Sequence, residues 1–346
     1  MLSSIASLLG LSPASDPTYG RASLPLHAVE QQMRKDPYTC GDSRIQTNDG
    51  HTIYVQSWSP QSSTPVADLV NIHGLGDYGG RMNIAWSKGL VDAGFRLTHL
   101  DMPGHGRSSG LHGYFTSIKE MVTAVRATIT SHVSKLPPTT SRKLFILCGS
   151  LGGLVGLTYS IEYGKDPDYP LHGIVILCPL IMPMGESRPP YALQVAAQVI
   201  RWIPGGGTLA VAQANRGKNC QDPENEKIFM ADPLAYSGPL RGSILPAFTV
   251  IELPIDNVTA VASGLAMLEG FEWLQTQLHQ MEVPFITMHG DADLVTNPEG
   301  SKLLHEQARA IDKSIIIWDG QWHDLTREPK QLEILAAAIK WLKERC

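Results

Sequence analysis

The order of apolar and polar segments along this chain predicts an α/β fold: an eight-stranded, mostly parallel sheet with helices on both faces and an insertion after the sixth strand. Three observations carry this expectation. Short apolar runs alternate with helix-like segments. That rhythm stops between Pro179 and about Ala262, and strands resume at Pro284. A glycine-rich junction, Cys148-Gly149-Ser150-Leu151-Gly152-Gly153, joins one apolar run directly to a helix-like segment.

The first two runs, at 44–47 and 52–57, flank Asn48-Asp49-Gly50, a hairpin signal, and are expected to be antiparallel. Six more follow at 68–73, 95–101, 143–148, 173–178, 284–289 and 314–318. They are short and nearly continuous in apolar residues, as strands buried on both faces of a parallel sheet require. Helices are expected at 81–92, 117–133, 151–161, 265–280, 298–310 and 330–343. The stretch 179–262 is rich in Pro and Gly, with apolar helical pieces at 191–203 and 224–230, and is expected to cap the carboxyl edge of the sheet. The expected organisation is an N-terminal tail and lead-in over 1–40, a core over 41–178 and 263–346, and a cap over 179–262.

Bulk composition narrows the function classes. With 43% hydrophobic and 18% charged residues, the 346-residue chain has the apolar content of a compact protein rather than a disordered one. A net charge of -5 without a basic block argues against nucleic acid as a partner. Cysteines at 40, 148, 178, 220 and 346 show no CxxC spacing, so neither a disulfide framework nor a metal site is expected. Free thiols suit a reducing, cytoplasmic setting. No run approaches the roughly 20 apolar residues of a membrane span. The N-terminal MLSSIASLLGLSPAS has an apolar patch without a positive region before it. It reads as a loosely docked tail, with a weak interfacial anchor as the alternative.

Two serines compete as nucleophile. The strict G-x-S-x-G pattern falls at Gly106-Arg107-Ser108-Ser109-Gly110, whereas Ser150 lacks the first glycine. Physical requirements favour Ser150. A nucleophile elbow is a sharp strand-to-helix turn that strains the serine backbone and lifts Oγ above the sheet of an α/β-hydrolase fold. It needs an apolar strand before it, a helix after it and small residues where the two approach. Runs 143–148 and 151–161 supply strand and helix, Gly149, Gly152 and Gly153 supply clearance, and Cys148 is small enough for the first position. Ser108 follows a loop, Asp101-Met102-Pro103-Gly104-His105, with no helix until about Ser117, and is expected to be a polar loop residue. The junction also lacks the Lys-Ser/Thr ending of a P-loop and the GxGxxG of a dinucleotide site.

A serine hydroxyl needs a base, and in this fold the partners follow in the order Ser, Asp or Glu, His. The histidines after Ser150 are His172, His279, His289, His305 and His323. His323 lies in a loop between the last strand and the last helix and is the candidate base. His289 ends a strand and reads as buried and structural, while His279 and His305 read as exposed helix residues. Asp291 and Asp293 both follow the run 284–289. Asp293, further into the loop, is the candidate orienting carboxylate, and Asp291 is the fallback, otherwise a turn residue. The backbone N–H groups of Leu151 and of Leu75, in His73-Gly74-Leu75-Gly76, are the candidate oxyanion donors.

These residues resemble the monoacylglycerol lipase and lysophospholipase-like serine hydrolases, with a serine aminopeptidase S33-like domain. The matching blocks are His73-Gly74-Leu75-Gly76-Asp77-Tyr78-Gly79-Gly80-Arg81, Asp101-Met102-Pro103-Gly104-His105-Gly106-Arg107-Ser108, Gly149-Ser150-Leu151-Gly152-Gly153, His289-Gly290-Asp291-Ala292-Asp293 and Gly320-Gln321-Trp322-His323. The resemblance implies a triad of Ser150, Asp293 and His323, oxyanion donors at Leu75 and Leu151, and a cap over an apolar acyl channel. Cys148 stands where the family pattern has glycine, and Gly149 where it has a bulkier polar residue. The run 243–261 lengthens the cap relative to that pattern.

The expected substrate is a small-molecule acyl ester or lipid, with a monoacylglycerol or lysophospholipid-type ester leading and small aromatic or phenylpropanoid esters second. A non-catalytic ligand-binding protein is the third reading. The cap is dense in apolar side chains, and eight buried methylenes provide about 6 kcal/mol at about 0.8 kcal/mol each. Gly74, Gly76, Met182, Tyr191 and Trp202 are the candidate substrate contacts. Transient contact of the cap or N-terminus with a membrane surface would make the protein peripherally membrane-associated. No cofactor is implied.

Overall fold

The computed structural model describes residues 16–185, 191–200, 210–213, 217–236 and 258–346. Its strands are β1 (Tyr38–Gln46), β2 (Thr52–Pro60), β3 (Asp68–Ile72), β4 (Arg96–Leu100), β5 (Leu144–Gly149), β6 (Gly173–Leu177), β7 (Ala210–Gln213), β8 (Val258–Ala260), β9 (Phe285–Gly290) and β10 (Lys313–Trp318). Eight of them form one sheet in the order β1-β2-β4-β3-β5-β6-β9-β10. β2 is antiparallel to both β1 and β4, and every other pair in this sheet is parallel. β7 and β8, which fall between β6 and β9 in the chain, form a separate antiparallel pair.

Both faces of the sheet are covered, which explains the continuous apolar runs. Along β5, Leu144, Ile146 and Cys148 enter one hydrophobic cluster, and Phe145 and Leu147 enter the other. β6 alternates likewise, with Ile174 and Ile176 on one face and Val175 and Leu177 on the other. Helices Ile118–Ser131, Leu151–Tyr163 and Val261–Gln277 cover the first face. Helices Ala28–Lys35, Ile84–Asp92 and Gln331–Lys343 cover the second. The chain reaches β4 on one side of β3 and β5 on the other. That reversal opens a crevice at the carboxyl ends of β3 and β5, where α/β sheets place their ligands.

Some boundaries differ from expectation. β1 starts at Tyr38 rather than at 44 because it is an edge strand with a largely solvated surface, so polar residues obscure its signal. The helix expected from 81 starts at Ile84, since Gly79–Arg81 forms a 3₁₀ turn and the Asn83 side chain caps Ala85 N. The 1–40 lead-in contains the helix Ala28–Lys35, held by a capping box between His27 and Glu30. From residue 16 this lead-in is docked: Arg21, 5% exposed, donates to the carbonyls of Gly106, Ser108 and Gly110, and Glu30 pairs with Arg107 at 3.1 Å. The apolar N-terminal patch lies outside the described residues.

Candidate active site

Ser150 sits between β5 and the helix Leu151–Tyr163 with φ 54° and ψ -123°. A left-handed φ on a non-glycine residue costs roughly 1–3 kcal/mol and persists only where the surroundings hold it. They do so here. Ser150 donates its N–H to Leu177 O at 3.1 Å, and its carbonyl accepts the amides of Gly153, Leu154 and Leu180. A Cβ at Gly152 would lie 2.2 Å from Ile72 O, and one at Gly153 would lie 2.8 Å from Pro179 Cα, so the helix can meet the strands only with glycine there. Cys148 is buried, and its Sγ would lie 2.8 Å from a Cβ at Gly156. The missing glycine of the elbow is thus matched by a glycine on the facing helix.

The loop after β3 lies against Ser150, with a Cβ at Gly74 falling 3.9 Å from Ser150 Oγ. His73 accepts Met102 N–H on Nε2 at 2.9 Å, which leaves Nδ1–H to donate to Gly74 O at 2.8 Å. Burial pushes the His73 pKa down, so the ring stays neutral in this role. Among the described residues no acceptor takes the N–H of Leu75 or of Leu151. Both therefore remain available to a ligand.

His323 and Asp293 meet at 2.7 Å, Nδ1 to Oδ2. The carboxylate also accepts the amides of Val295 and Thr296 on Oδ1, and the Thr296 hydroxyl on Oδ2. Burial opposes its ionisation, but His323 and His289 hold it well below the usual carboxylate range. Burial likewise pulls the His323 pKa down, and the Asp293 charge overcomes this and raises it. Asp291 instead accepts Gly320 N–H at 2.7 Å, a turn role. His279 is exposed and His305 half-buried. Ser108 is fully buried; its Oγ donates to Asp101 O and accepts Tyr54 N–H at 2.8 Å, so it is structural.

Gly74, Leu75, Ser150, Leu177, Phe229 and His323 line a cavity of about 170 Å³. Its polar side carries Asp77 and Arg81, paired through Nε and Nη2 of the guanidinium at 2.7 and 2.8 Å, and Arg327, paired with Asp324. The other expected substrate contacts lie elsewhere. Gly76, at φ 72°, accepts Tyr236 N–H on its carbonyl at 2.7 Å. Met182 is half-buried and its carbonyl accepts Asn297 N–H, and Tyr191 is 80% exposed to solvent. Trp202 lies outside the described residues.

Sequence reasoning read His289 as buried and structural but missed its contact with Asp293, and it missed Thr296 and Glu328 altogether. His289 Nε2 lies 3.1 Å from Asp293 Oδ2 while its Nδ1 meets Ser301 Oγ at 2.7 Å, so it is structural but also holds the carboxylate. Its place four residues before Asp293 was the available signal. Cys178, Asp293 and His323 bring potential metal-ligand atoms within 4.8 Å of one another. The last two are already committed to each other, and burial pushes the Cys178 thiol well up.

The fold is that of the α/β-hydrolases. Residues 63–250 and 252–330 match the Hydrolase_4 family, described as serine aminopeptidase, S33, and the chain belongs to that family. It is 27% identical over 298 residues to Caffeoylshikimate esterase of Arabidopsis thaliana, covering 85% of this chain and 82% of that protein. It is 24% identical over 304 residues to Monoglyceride lipase of Mus musculus, covering 86% and 88%. The crystal structure of Paleococcus ferrophilus monoacylglycerol lipase shares the fold, with a TM-score of 0.67 at 24% identity over 85% of this chain and 99% of that one. The chain spans 29% of the length of a Dictyostelium discoideum abhydrolase domain-containing protein, at 24% identity.

Proposed function

We propose that the protein is a serine hydrolase that cleaves carboxylic esters through an acyl-Ser150 intermediate. One observation carries the reading: the strained Ser150, the Gly74–Leu75 loop and the His323–Asp293 pair converge on a single cavity. With Nδ1–H donated to Asp293, Nε2 of the neutral His323 ring holds the lone pair that accepts the Ser150 proton. Oγ then attacks the ester carbonyl, and its oxygen takes the negative charge against the N–H groups of Leu75 and Leu151. His323 returns the proton to the departing alkoxide. Water, deprotonated by the same ring, releases the acid and restores Ser150.

The polar wall of the cavity supports a hydroxyl-rich leaving group, since Arg81 and Arg327 are each neutralised by a neighbouring aspartate. Together with the relatives named monoglyceride lipase, this favours a fatty-acyl glycerol monoester, with residues 179–262 as the cap over the acyl chain. The Arabidopsis thaliana relative supports phenylpropanoid esters as a second reading. No helix among the described residues is long and apolar enough to cross a membrane. On the helix Tyr191–Ile200, however, Tyr191, Val195 and Val199 are exposed at helical spacing and would suit transient contact with a lipid surface.

Labelling with a fluorophosphonate, peptide mapping and a p-nitrophenyl ester series test the proposal. Labelling at Ser150 with preference for medium or long chains is expected. Preference for acetyl esters would favour the second reading, and absence of labelling would leave a binding protein.

A further inference from the structure

The loop that carries His323 is fastened on both sides to the inserted segment. Asp324 donates its N–H to the carbonyl of Asn219 at 2.7 Å. On the other side of the base, Trp322 donates its N–H to Glu328 Oε2 at 2.8 Å. The same oxygen accepts Gln221 Nε2 at 2.6 Å, and Oε1 accepts the Gln221 backbone N–H at 2.9 Å. Glu328 is 0% exposed and forms no ion pair among the described residues. Three N–H donors therefore replace the counter-ion that a buried carboxylate ordinarily needs, and two of them belong to Gln221. Gln221 lies one residue before Asp222, the N-cap of the helix Pro223–Ala231, which contributes Phe229 to the cavity wall. Were this strand of chain to lift, Glu328 would keep only Trp322 as a donor, and the Asp324 amide, on the other side of His323, would lose its acceptor.

We propose that Glu328 is a positioning residue: it couples the seating of residues 219–221 to the placement of His323, so that the base is aligned only when that part of the insertion is docked. The proposal rests on His323 being the base. Glu328 touches no reacting atom and acts through Trp322.

Glu328→Gln keeps the volume but replaces one acceptor oxygen with an NH₂ that faces other donors. Its kcat is expected to fall about tenfold, the rate equivalent of one weakened charged hydrogen bond, with KM little changed. The titratable groups facing His323 are Asp293, Asp324 and the Cys178 thiol. Because Asp293 raises the His323 pKa, a displaced ring should also lower the pH midpoint of kcat/KM. Gln221→Ala, at an exposed side chain, should move both quantities the same way by less. In both variants the proton NMR signal of His323 Nδ1–H, shared with Asp293, should shift or broaden. Wild-type kcat, midpoint and Nδ1 signal in folded Glu328→Gln, or in Gln221→Ala if the first variant does not fold, would overturn the proposal. The NMR signal needs no turnover, so failure of the clamp is distinguishable from failure of the triad reading, which Ser150→Ala would expose by retaining activity.

Discussion

Oδ2 of Asp293 lies 2.7 Å from Nδ1 of His323 and takes the Thr296 hydroxyl at 2.8 Å as well. The carboxylate is thereby fixed in orientation and in charge, and the imidazole it faces is raised in basicity despite its burial.

Activity should consequently rise with pH through a midpoint above the ordinary histidine value of about 6.5, because the base works only when neutral. Asp293→Asn removes the interaction that raises the midpoint and sets the tautomer, and kcat should fall about 10⁴-fold. A kcat/KM profile that is flat from pH 5 to 9 would count against a histidine base.

Ser150→Ala is expected to reduce kcat about a millionfold without loss of fold. Ser108→Ala strands Tyr54 N–H and the Asp101 carbonyl, and should cost about 1–3 kcal/mol in denaturant unfolding while the folded enzyme keeps its kcat. Titration of active sites with fluorophosphonate separates the two outcomes.

Histidines buried in neutral form take stability away as pH falls. His73, His105 and His99, the last pushed down to about 3, all lose basicity through burial. A folded pKa below the unfolded value means stability that is present above pH 6.5 and lost as pH falls from there. His99 alone accounts for about 4 kcal/mol by pH 3. His323 has the opposite sign, contributing below pH 6.5 and fading as pH rises through its folded value. So does Asp101, which burial pushes up to about 6: its contribution is complete below pH 3.8 and lost as pH passes 6. Unfolding free energies measured from pH 8 to pH 4 should decline, the three histidines outweighing the two opposing groups. A flat curve would contradict this balance.

Gly156→Ala places a methyl 2.8 Å from Cys148 Sγ and should cost about 1–3 kcal/mol. Combining it with Cys148→Ala should return part of that loss, a non-additivity readable by double-mutant cycle. Strict additivity would show that the two positions do not share volume.

The sheet was legible because strands buried on both faces leave continuous apolar runs. β1 was underestimated, since an edge strand needs no such run. The helix Ala28–Lys35 escaped because its capping box uses His27 in place of Ser or Thr. Ser150 could be separated from Ser108 by asking for strand, turn and helix in succession. Position in the loop favoured Asp293 over Asp291, and the distances put the first against His323 and the second against Gly320. Glu328 and Gln221 lie 107 residues apart, and no local pattern announces such a pairing.

The contact between Cys148 and Gly156 also bears on how such sites are found. Clearance at a strand–helix crossing belongs to two facing surfaces jointly, and either can provide the vacancy. Here the helix provides it, so the strand is free to carry sulfur. A search for glycine two places before the nucleophile would pass over Ser150 and stop at Gly106–Gly110, which the lead-in residue Arg21 covers. What this crossing constrains is a summed side-chain volume, which a pattern of letters on one strand does not measure.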